Sequence, residues 1–304
     1  MSVSAYEEVT SGFVAVVGRP NAGKSTLVNA IVGAKVAITS DTPQTTRHRL
    51  RAVIDREDAQ VVLVDTPGLH KAVDALGEQV NRSSLLALAD VDVVALCIDS
   101  TAPVGSGDRW VAERVARGNR PVVLVLTKAD AASQSRVESQ LARAREIVTP
   151  AAEVVLSART GFNLEALLEA VVPLLPRGPR FFPRDMKTDQ PVEVMLAELV
   201  REKVLRATRD EVPHAVGVQL DDIEYDARRD FHTIFATIYV ERESQKGIII
   251  GRGGEMIRTV GTRARADMER LMGTGVHLDL RVKVKKDWRR DASQIKRFGY
   301  GEGL

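Results

Sequence analysis

The chain has one cysteine, no excess of either charge and no apolar run long enough to span a bilayer. Each shortage removes a class of explanation. Cys97 alone cannot form an intrachain disulfide, which fits a reducing cytosol. It sits in the run Val93-Val94-Ala95-Leu96-Cys97-Ile98, where a small buried hydrophobe is the expected role. Lysine and arginine number 43 against 41 acids, a formal charge of +2, so any basic patch must come from local clustering. A spanning helix needs about twenty apolar residues in a row, and none is found. Met1 to Thr10 carry Glu7 and Glu8 where a secretory leader would be basic. A soluble, cytoplasmic protein is expected, and 304 residues suggest about two domains.

What is present begins with Gly18-Arg19-Pro20-Asn21-Ala22-Gly23-Lys24-Ser25, the G-x-x-x-x-G-K-[ST] spacing of a phosphate-binding loop. The apolar run Phe13 to Val17 before it reads as a buried strand, and Thr26 to Val32 after it as a helix stopped by Gly33. In that setting glycines let backbone N–H groups turn around a polyphosphate, Lys24 reaches the β- and γ-phosphates, and the Ser25 hydroxyl can ligate Mg²⁺. Thr39 to Arg47 has no periodicity and reads as a loop. A hairpin follows: Leu50, Ala52 and Ile54 face one side, Arg49, Arg51 and Val53 the other, and Gln60 to Val64 form the second strand. That strand ends in Asp65-Thr66-Pro67-Gly68, a carboxylate able to hold the hydration shell of Mg²⁺ and a glycine whose N–H can meet a γ-phosphate. Strands at Val91 to Asp99, Pro121 to Leu126 and Glu153 to Leu156 alternate with helices at Asp108 to Ala116, Ser133 to Val148 and Asn163 to Leu175. This is the pattern of a doubly wound α/β sheet with ligand groups on the loops after its strands. Two of those loops carry Thr127-Lys128-Ala129-Asp130 and Ser157-Ala158-Arg159. The Asp130 carboxylate can accept paired hydrogen bonds from guanine N1–H and its 2-amino group, a donor pair adenine lacks.

Taken in order, Gly18 to Ser25, Asp65 to Gly68, Thr127 to Asp130 and Ser157-Ala158 resemble the first, third, fourth and fifth motifs of translation-factor-class GTPases, and Gln44-Thr45-Thr46-Arg47 resembles the second. The resemblance implies a GTP site that also includes Thr26 and Leu69, with Mg²⁺ held by Ser25, Thr46 and, through water, Asp65. There are two departures. Thr127 replaces the usual Asn, keeping a hydroxyl but losing an amide, so weaker guanine binding is expected. Leu69 stands where many relatives have the glutamine that orients water, so no side-chain base acts from that position, and Lys24 and Gly68 remain as phosphate stabilisers. Asn21 matches a position that in relatives helps to coordinate K⁺. The neighbouring His70 is expected to be an exposed loop residue rather than a general base.

From Pro173 to Pro191, six prolines and glycines break any helix around Phe181-Phe182 and mark a linker, docked or free. Beyond it, Val192 to Ala207 has helical apolar spacing, Val216 to Asp221 and Ile234 to Val240 alternate as strands, and Glu255 to Leu271 is helical. Val276 to Lys285 alternates as a third strand. Before the second helix comes Gly251-Arg252-Gly253-Gly254, a G-x-x-G loop between apolar helical turns. The order resembles a KH domain of the bacterial, type II topology. In that fold the loop admits a nucleic-acid backbone and an adjacent groove takes unpaired bases. Ile250, Gly251, Arg252, Gly253, Gly254 and Ile257 are the expected contacts. Lys285, Arg289 and Arg290, in the basic strip that ends the chain, are expected to add phosphate attraction. Trp288, Ala292 and Ile295 share the apolar side of a short helix there.

A GTPase domain at 1–178, a linker at 179–190, an α+β KH domain at 191–286 and a basic helix and tail at 287–304 together resemble the Era family. The resemblance implies GTP/GDP cycling, binding near the 3′ end of 16S rRNA, action in 30S ribosomal subunit maturation, and peripheral association with the inner face of the cell membrane by a monomer. Two alternatives stay open at this point: an ATP-driven enzyme sharing only the phosphate loop, and an RNA-binding scaffold with a vestigial nucleotide site.

Overall fold

The computed structural model describes residues 8–72 and 74–300. The leader reading of residues 1–7 and the last four residues of the expected tail lie outside them. The elements are, in order, β1 (Val9–Gly18), α1 (Lys24–Val32), β2 (Leu50–Asp55), β3 (Ala59–Asp65), α2 (Ala75–Ala89), β4 (Val93–Asp99), α3 (Ser106–Ala116), β5 (Val122–Thr127), α4 (Gln134–Arg145), β6 (Ala152–Val155), α5 (Leu164–Val171) and β7 (Arg177–Gly178). The second half adds α6 (Val192–Ala207), α7 (Val212–Ala215), β8 (Gly217–Asp226), β9 (Phe231–Val240), α8 (Glu243–Ile250), α9 (Glu255–Met272), β10 (Gly275–Val284) and α10 (Ala292–Arg297).

The first sheet runs β2-β3-β1-β4-β5-β6, with β2 antiparallel to β3 and β7 paired antiparallel with the start of β1. The other neighbours in that order run parallel. Strands buried on both faces need continuous apolar runs, and β1, β4 and β5 supply them. Because β1 has β3 on one side and β4 on the other, strand order reverses at its carboxyl end, which is where a parallel sheet opens a crevice for a ligand. Cys97 is fully buried there, as expected. Val53 departs from the expected alternation: it is 1 % exposed, although it shares a side with Arg51. The reason is the segment at 179–190, a docked strap rather than a free linker. Gln60 Oε1 accepts the N–H groups of Phe181 (2.8 Å) and Phe182 (2.9 Å), and Phe181 packs 4.8 Å from Phe13. Lys187 O accepts from Val53 N and the Arg51 guanidinium lies over Phe182, so the outer side of β2 is covered.

The second sheet runs β10-β9-β8, with β9 parallel to β10 and antiparallel to β8. Ile234, Ala236, Ile238 and Val240 of β9 are buried against the helices, including Leu196 and Val200 of α6 and Val260, Ala264 and Met268 of α9. α2 has no counterpart in the expected element order. Its buried positions include Gly77, Ser83 and Ser84, so its apolar periodicity is faint. With Leu76 and Val80 it packs against Trp288, Ile295, Phe298 and Tyr300. Ala292 is exposed, contrary to expectation; the apolar side of the last segment is Trp288, Ile295, Phe298 and Tyr300 instead. No helix among the described residues is long and apolar enough to cross a membrane.

Candidate active site and nucleic-acid interface

The phosphate loop is shaped by its neighbours. A Cβ at Gly18 would lie 2.5 Å from the Cys97 carbonyl of β4, and one at Gly68 would lie 2.6 Å from Pro20 N, so only glycine lets these backbones meet. Gly23 takes φ +83 and starts α1, whose free N–H groups and dipole favour an anion. Lys24 is 5 % exposed, and its Nζ donates to the carbonyls of Gly18 (3.2 Å) and Arg19 (2.9 Å), which holds the ammonium inside the loop. Burial pulls its pKa below the ordinary value, with Asp65 opposing. The Arg19 guanidinium turns away to Asp108 of α3 at 2.9 Å, so only its backbone belongs to the loop. Leu69 is 1 % exposed in the apolar cluster with Val17 and Leu96, and only its N–H, donating to Gly18 O at 3.2 Å, touches the loop. Thr66 Oγ1 donates to Val16 O, and Ser84 Oγ donates to Pro67 O, which fixes the turn around Gly68.

Three hydroxyl and carboxylate groups from separate segments meet below the loop. Ser25 Oγ is 2.8 Å from Thr46 Oγ1 and donates to Asp65 Oδ2 at 2.7 Å. Asp65 Oδ1 is buried without a hydrogen-bond partner among the described residues. Burial raises the Asp65 pKa to about 6, against the pull of Lys24 and Ser25. An all-oxygen set with an unpartnered carboxylate oxygen suits a hard divalent cation that keeps its waters. Of the two adjacent threonines, Thr46 reaches this cluster; Thr45 Oγ1 donates to Thr42 O instead.

At the far end of the crevice, Thr127 Oγ1 donates to the carbonyls of Ala22 (2.8 Å) and Ile98 (3.2 Å), so the hydroxyl does brace the phosphate loop. Lys128 Nζ spans Asn21 O (2.7 Å) and Asp99 Oδ2 (2.6 Å). Asp130 Oδ1 accepts from Ser157 Oγ at 2.5 Å, and Oδ2 accepts from Arg159 Nε at 2.8 Å and from its Nη2. Ser157 first, then Arg159, hold the Asp130 carboxyl below its usual range. Ala158 is partly buried beside the core. Asn21 Nδ2 donates to Asp41 O at 2.7 Å. His70 is no free loop residue: Nδ1 lies 2.9 Å from the Gly68 carbonyl, which can only accept, so Nε2 accepts from the Gln44 amide at 2.7 Å. It ties the Gln44 segment to the turn at Gly68.

The G-x-x-G loop presents the opposite picture. Gly253 (φ +58) and Gly254 (φ +77) are left-handed with nothing within 4 Å of a built Cβ. Arg252 is exposed and bonded to no described residue through its guanidinium, and Ile250 and Ile257 are partly exposed beside it. Lys285 is partly buried at the end of β10. The partly exposed Arg289 guanidinium pairs within the protein, with Glu241 (3.0 Å) and with the α2 cap Asp74 (3.3 Å), and these acids compete with the expected phosphate contact. Arg290 is exposed.

The motifs gave no hint that the second half would grip the Thr39–His48 segment. Thr39 N donates to Glu202 (3.0 Å), and Arg206 donates to Thr39 O. Arg201 donates to Thr45 O, and Arg47, 2 % exposed, donates to the carbonyls of Val216 (2.7 Å) and His214 (3.1 Å) while lying over the Trp288 and Tyr300 rings. The charges of α6 read in the sequence as an ordinary polar helix face, yet Glu198, Arg201, Glu202 and Lys203 are all buried.

Comparison with known proteins agrees with this architecture. The family described as 50S ribosome-binding GTPase matches residues 13–128, and the KH domain family matches 211–289. The chain is 48 % identical over 298 residues to the GTPase Era of Mycobacterium tuberculosis (strain ATCC 25618 / H37Rv) and to that of Mycobacterium bovis (strain BCG / Pasteur 1173P2), covering 96 % of this chain and 99 % of each relative. Among solved structures it is similar to an Era variant from Aquifex aeolicus bound to GDP·AlF4⁻, with TM-score 0.93, 35 % identity, and coverage of 97 % of this chain and 100 % of the other. A second Era structure, in complex with MgGDPNP and nucleotides 1506–1542 of 16S ribosomal RNA, matches with TM-score 0.92 at the same identity and coverage.

Proposed function

The chain belongs to the Era family of GTPases, and from that premise we propose that it hydrolyses GTP in a cycle that governs its hold on the 3′ region of 16S rRNA during 30S subunit maturation. The observation that carries the nucleotide half is the convergence of Ser25, Thr46 and Asp65 beneath the loop that encloses Lys24. We divide the chain into a GTP-binding domain at 1–178, the strap at 179–190, the KH domain at 191–286 and a C-terminal segment from 287.

In this assignment the loop amides from Gly18 to Thr26 cradle the phosphates, Lys24 and the Gly68 N–H meet the terminal phosphate, and Asp130 reads the guanine edge with Ser157 and Ala158 at its side. Ser25, Thr46 and, through water, Asp65 hold Mg²⁺, which when bound neutralises charge shared by the β- and γ-phosphates. No side-chain base is assigned, since Leu69 faces the core and the His70 lone pair is used on Gln44. Asn21, whose amide nitrogen is on Asp41, keeps its carbonyl oxygen for K⁺; faster hydrolysis in K⁺ than in Na⁺ buffer tests this. The G-x-x-G loop, with Ile250, Arg252 and Ile257, takes unpaired ribonucleotides, and Lys285 and Arg290 add phosphate contacts. In this reading membrane association is peripheral, and sedimentation with anionic vesicles tests it. Phosphate release from GTP, against ATP, with and without an oligoribonucleotide from the 16S 3′ end tests the whole assignment: release from GTP alone supports it, and equal release from ATP overturns it.

A further inference from the structure

Thr46 is flanked by residues that belong, through their contacts, to the other domain. Its own hydroxyl points to the metal-binding cluster, 2.8 Å from Ser25 Oγ. The carbonyl before it, Thr45 O, accepts from Arg201 of α6, and the side chain after it, Arg47, is anchored on the Val216 and His214 carbonyls. Arg201 is itself fixed: it is fully buried, and its Nε and Nη2 each donate to Glu198 at 2.7 Å in a planar fork. Glu198 also faces His48 Nε2 at 3.4 Å, two residues past Thr46.

We propose that Arg201, anchored by Glu198, is a positioning residue for GTP binding: a guanidinium supplied by the KH domain that fixes the Thr45 peptide so that the Thr46 hydroxyl stays on the metal-binding cluster. A buried ion pair is weak support for stability alone, because desolvation offsets most of the attraction, whereas a planar fork sets direction. Burial pushes the Glu198 carboxyl up, yet Arg201 and then His48 outweigh it and keep the pair charged. Arg201 does not touch the nucleotide in this scheme. It acts through a peptide one residue from the ligand.

The proposal rests on Thr46 as a metal ligand, so full-length Thr46→Ala is the reference variant. Three further proteins are compared with it: wild type, the double variant Glu198→Gln/Arg201→Met, which removes both buried charges together, and Arg201→Lys, which keeps the charge without the fork. Affinity for Mg²⁺ with a non-hydrolysable GTP analogue, affinity for GDP, the Mg²⁺ concentration at half-saturation and the melting temperature are read for each. In the double variant analogue affinity is expected to fall roughly tenfold, the order of one charge-assisted hydrogen bond, with GDP affinity within about twofold of wild type and half-saturation moved to higher Mg²⁺. Arg201→Lys should fall between. Equal losses for both nucleotides, or none for either, in a folded variant overturn the proposal. If the double variant melts early, the same ratio in Arg201→Lys decides. If Thr46→Ala itself fails to separate analogue from GDP, the metal assignment falls and overturns the proposal with it, whereas a Thr46→Ala effect without an Arg201 effect overturns the proposal alone.

Discussion

The two ligand-facing ends of this molecule are built in opposite ways. At the nucleotide end each working side chain is already bonded to another part of the protein: Lys24 to two loop carbonyls, Asp65 to Ser25, Asp130 to Ser157 and Arg159. At the G-x-x-G end Gly251 is packed against Met256, but Gly253 and Gly254 stand open and the Arg252 guanidinium has no partner among the described residues. The first end holds its groups ready at fixed positions, which suits electrostatic stabilisation of a charged phosphate. At Gly253, Gly254 and Arg252 the second has few contacts to lose in the protein itself, so changes at those three positions act more on ligand affinity than on folding.

That contrast can be broken in several places. The largest effect is expected for Lys24→Ala, which should slow phosphate release by about a hundredfold or more, as for other single groups facing developing charge, while RNA affinity without nucleotide stays unchanged. Next, Asp130→Asn should weaken GTP by roughly tenfold to a hundredfold through loss of two charge-assisted hydrogen bonds, and competition with XTP should show the preference moving toward xanthine. At the open end, Gly253→Asp puts a carboxylate where a nucleic-acid backbone would pass. RNA affinity should fall about tenfold and grow less sensitive to salt, with GTP turnover in the absence of RNA unaltered and no more than about 1–2 kcal/mol of left-handed strain.

Two smaller effects sharpen the comparison. Arg289→Glu should lower stability by about 1 kcal/mol, because it places a third acid beside Asp74 and Glu241, whereas Arg290→Glu should leave the melting temperature alone and weaken RNA. The reverse outcome would return Arg289 to the RNA surface. The smallest effect concerns Asp267 of α9, which Lys203 and Lys35 bring down to about 2 from 3.8 in spite of burial. Because the folded protein binds this proton less readily than the unfolded chain, the contribution is complete above about pH 4 and is lost as pH falls toward 2. Asp267→Asn should flatten the slope of stability against pH in that window, as followed by urea unfolding.

Much of the parallel sheet and its site was legible because phosphate chemistry dictates local spacing: Gly18 to Ser25, Asp65 to Gly68 and Thr127 to Asp130 each fall on a loop after a strand. The G-x-x-G loop was legible for the same reason, since glycine alone takes those dihedral angles freely. What escaped has no local signature. α2 buries Gly77, Ser83 and Ser84 against the last segment, so its apolar stripe is weak. Arg289 reads as part of a basic run, and only the fold brings Asp74, more than two hundred residues away, to its guanidinium. The buried charges of α6 look like an ordinary polar helix face until the Thr39–His48 segment is laid over them.

Those α6 contacts carry the central claim, that the state of the nucleotide site is passed to the RNA-binding end through the Thr39–His48 segment. The direct measurement is the affinity of the full chain for a 16S 3′-end fragment with Mg²⁺ and either GDP or a non-hydrolysable GTP analogue, at one salt concentration. The account predicts affinities that differ several-fold between the two nucleotides and converge when Glu198 and Arg201 are both replaced. Identical affinities in the wild-type protein would contradict it.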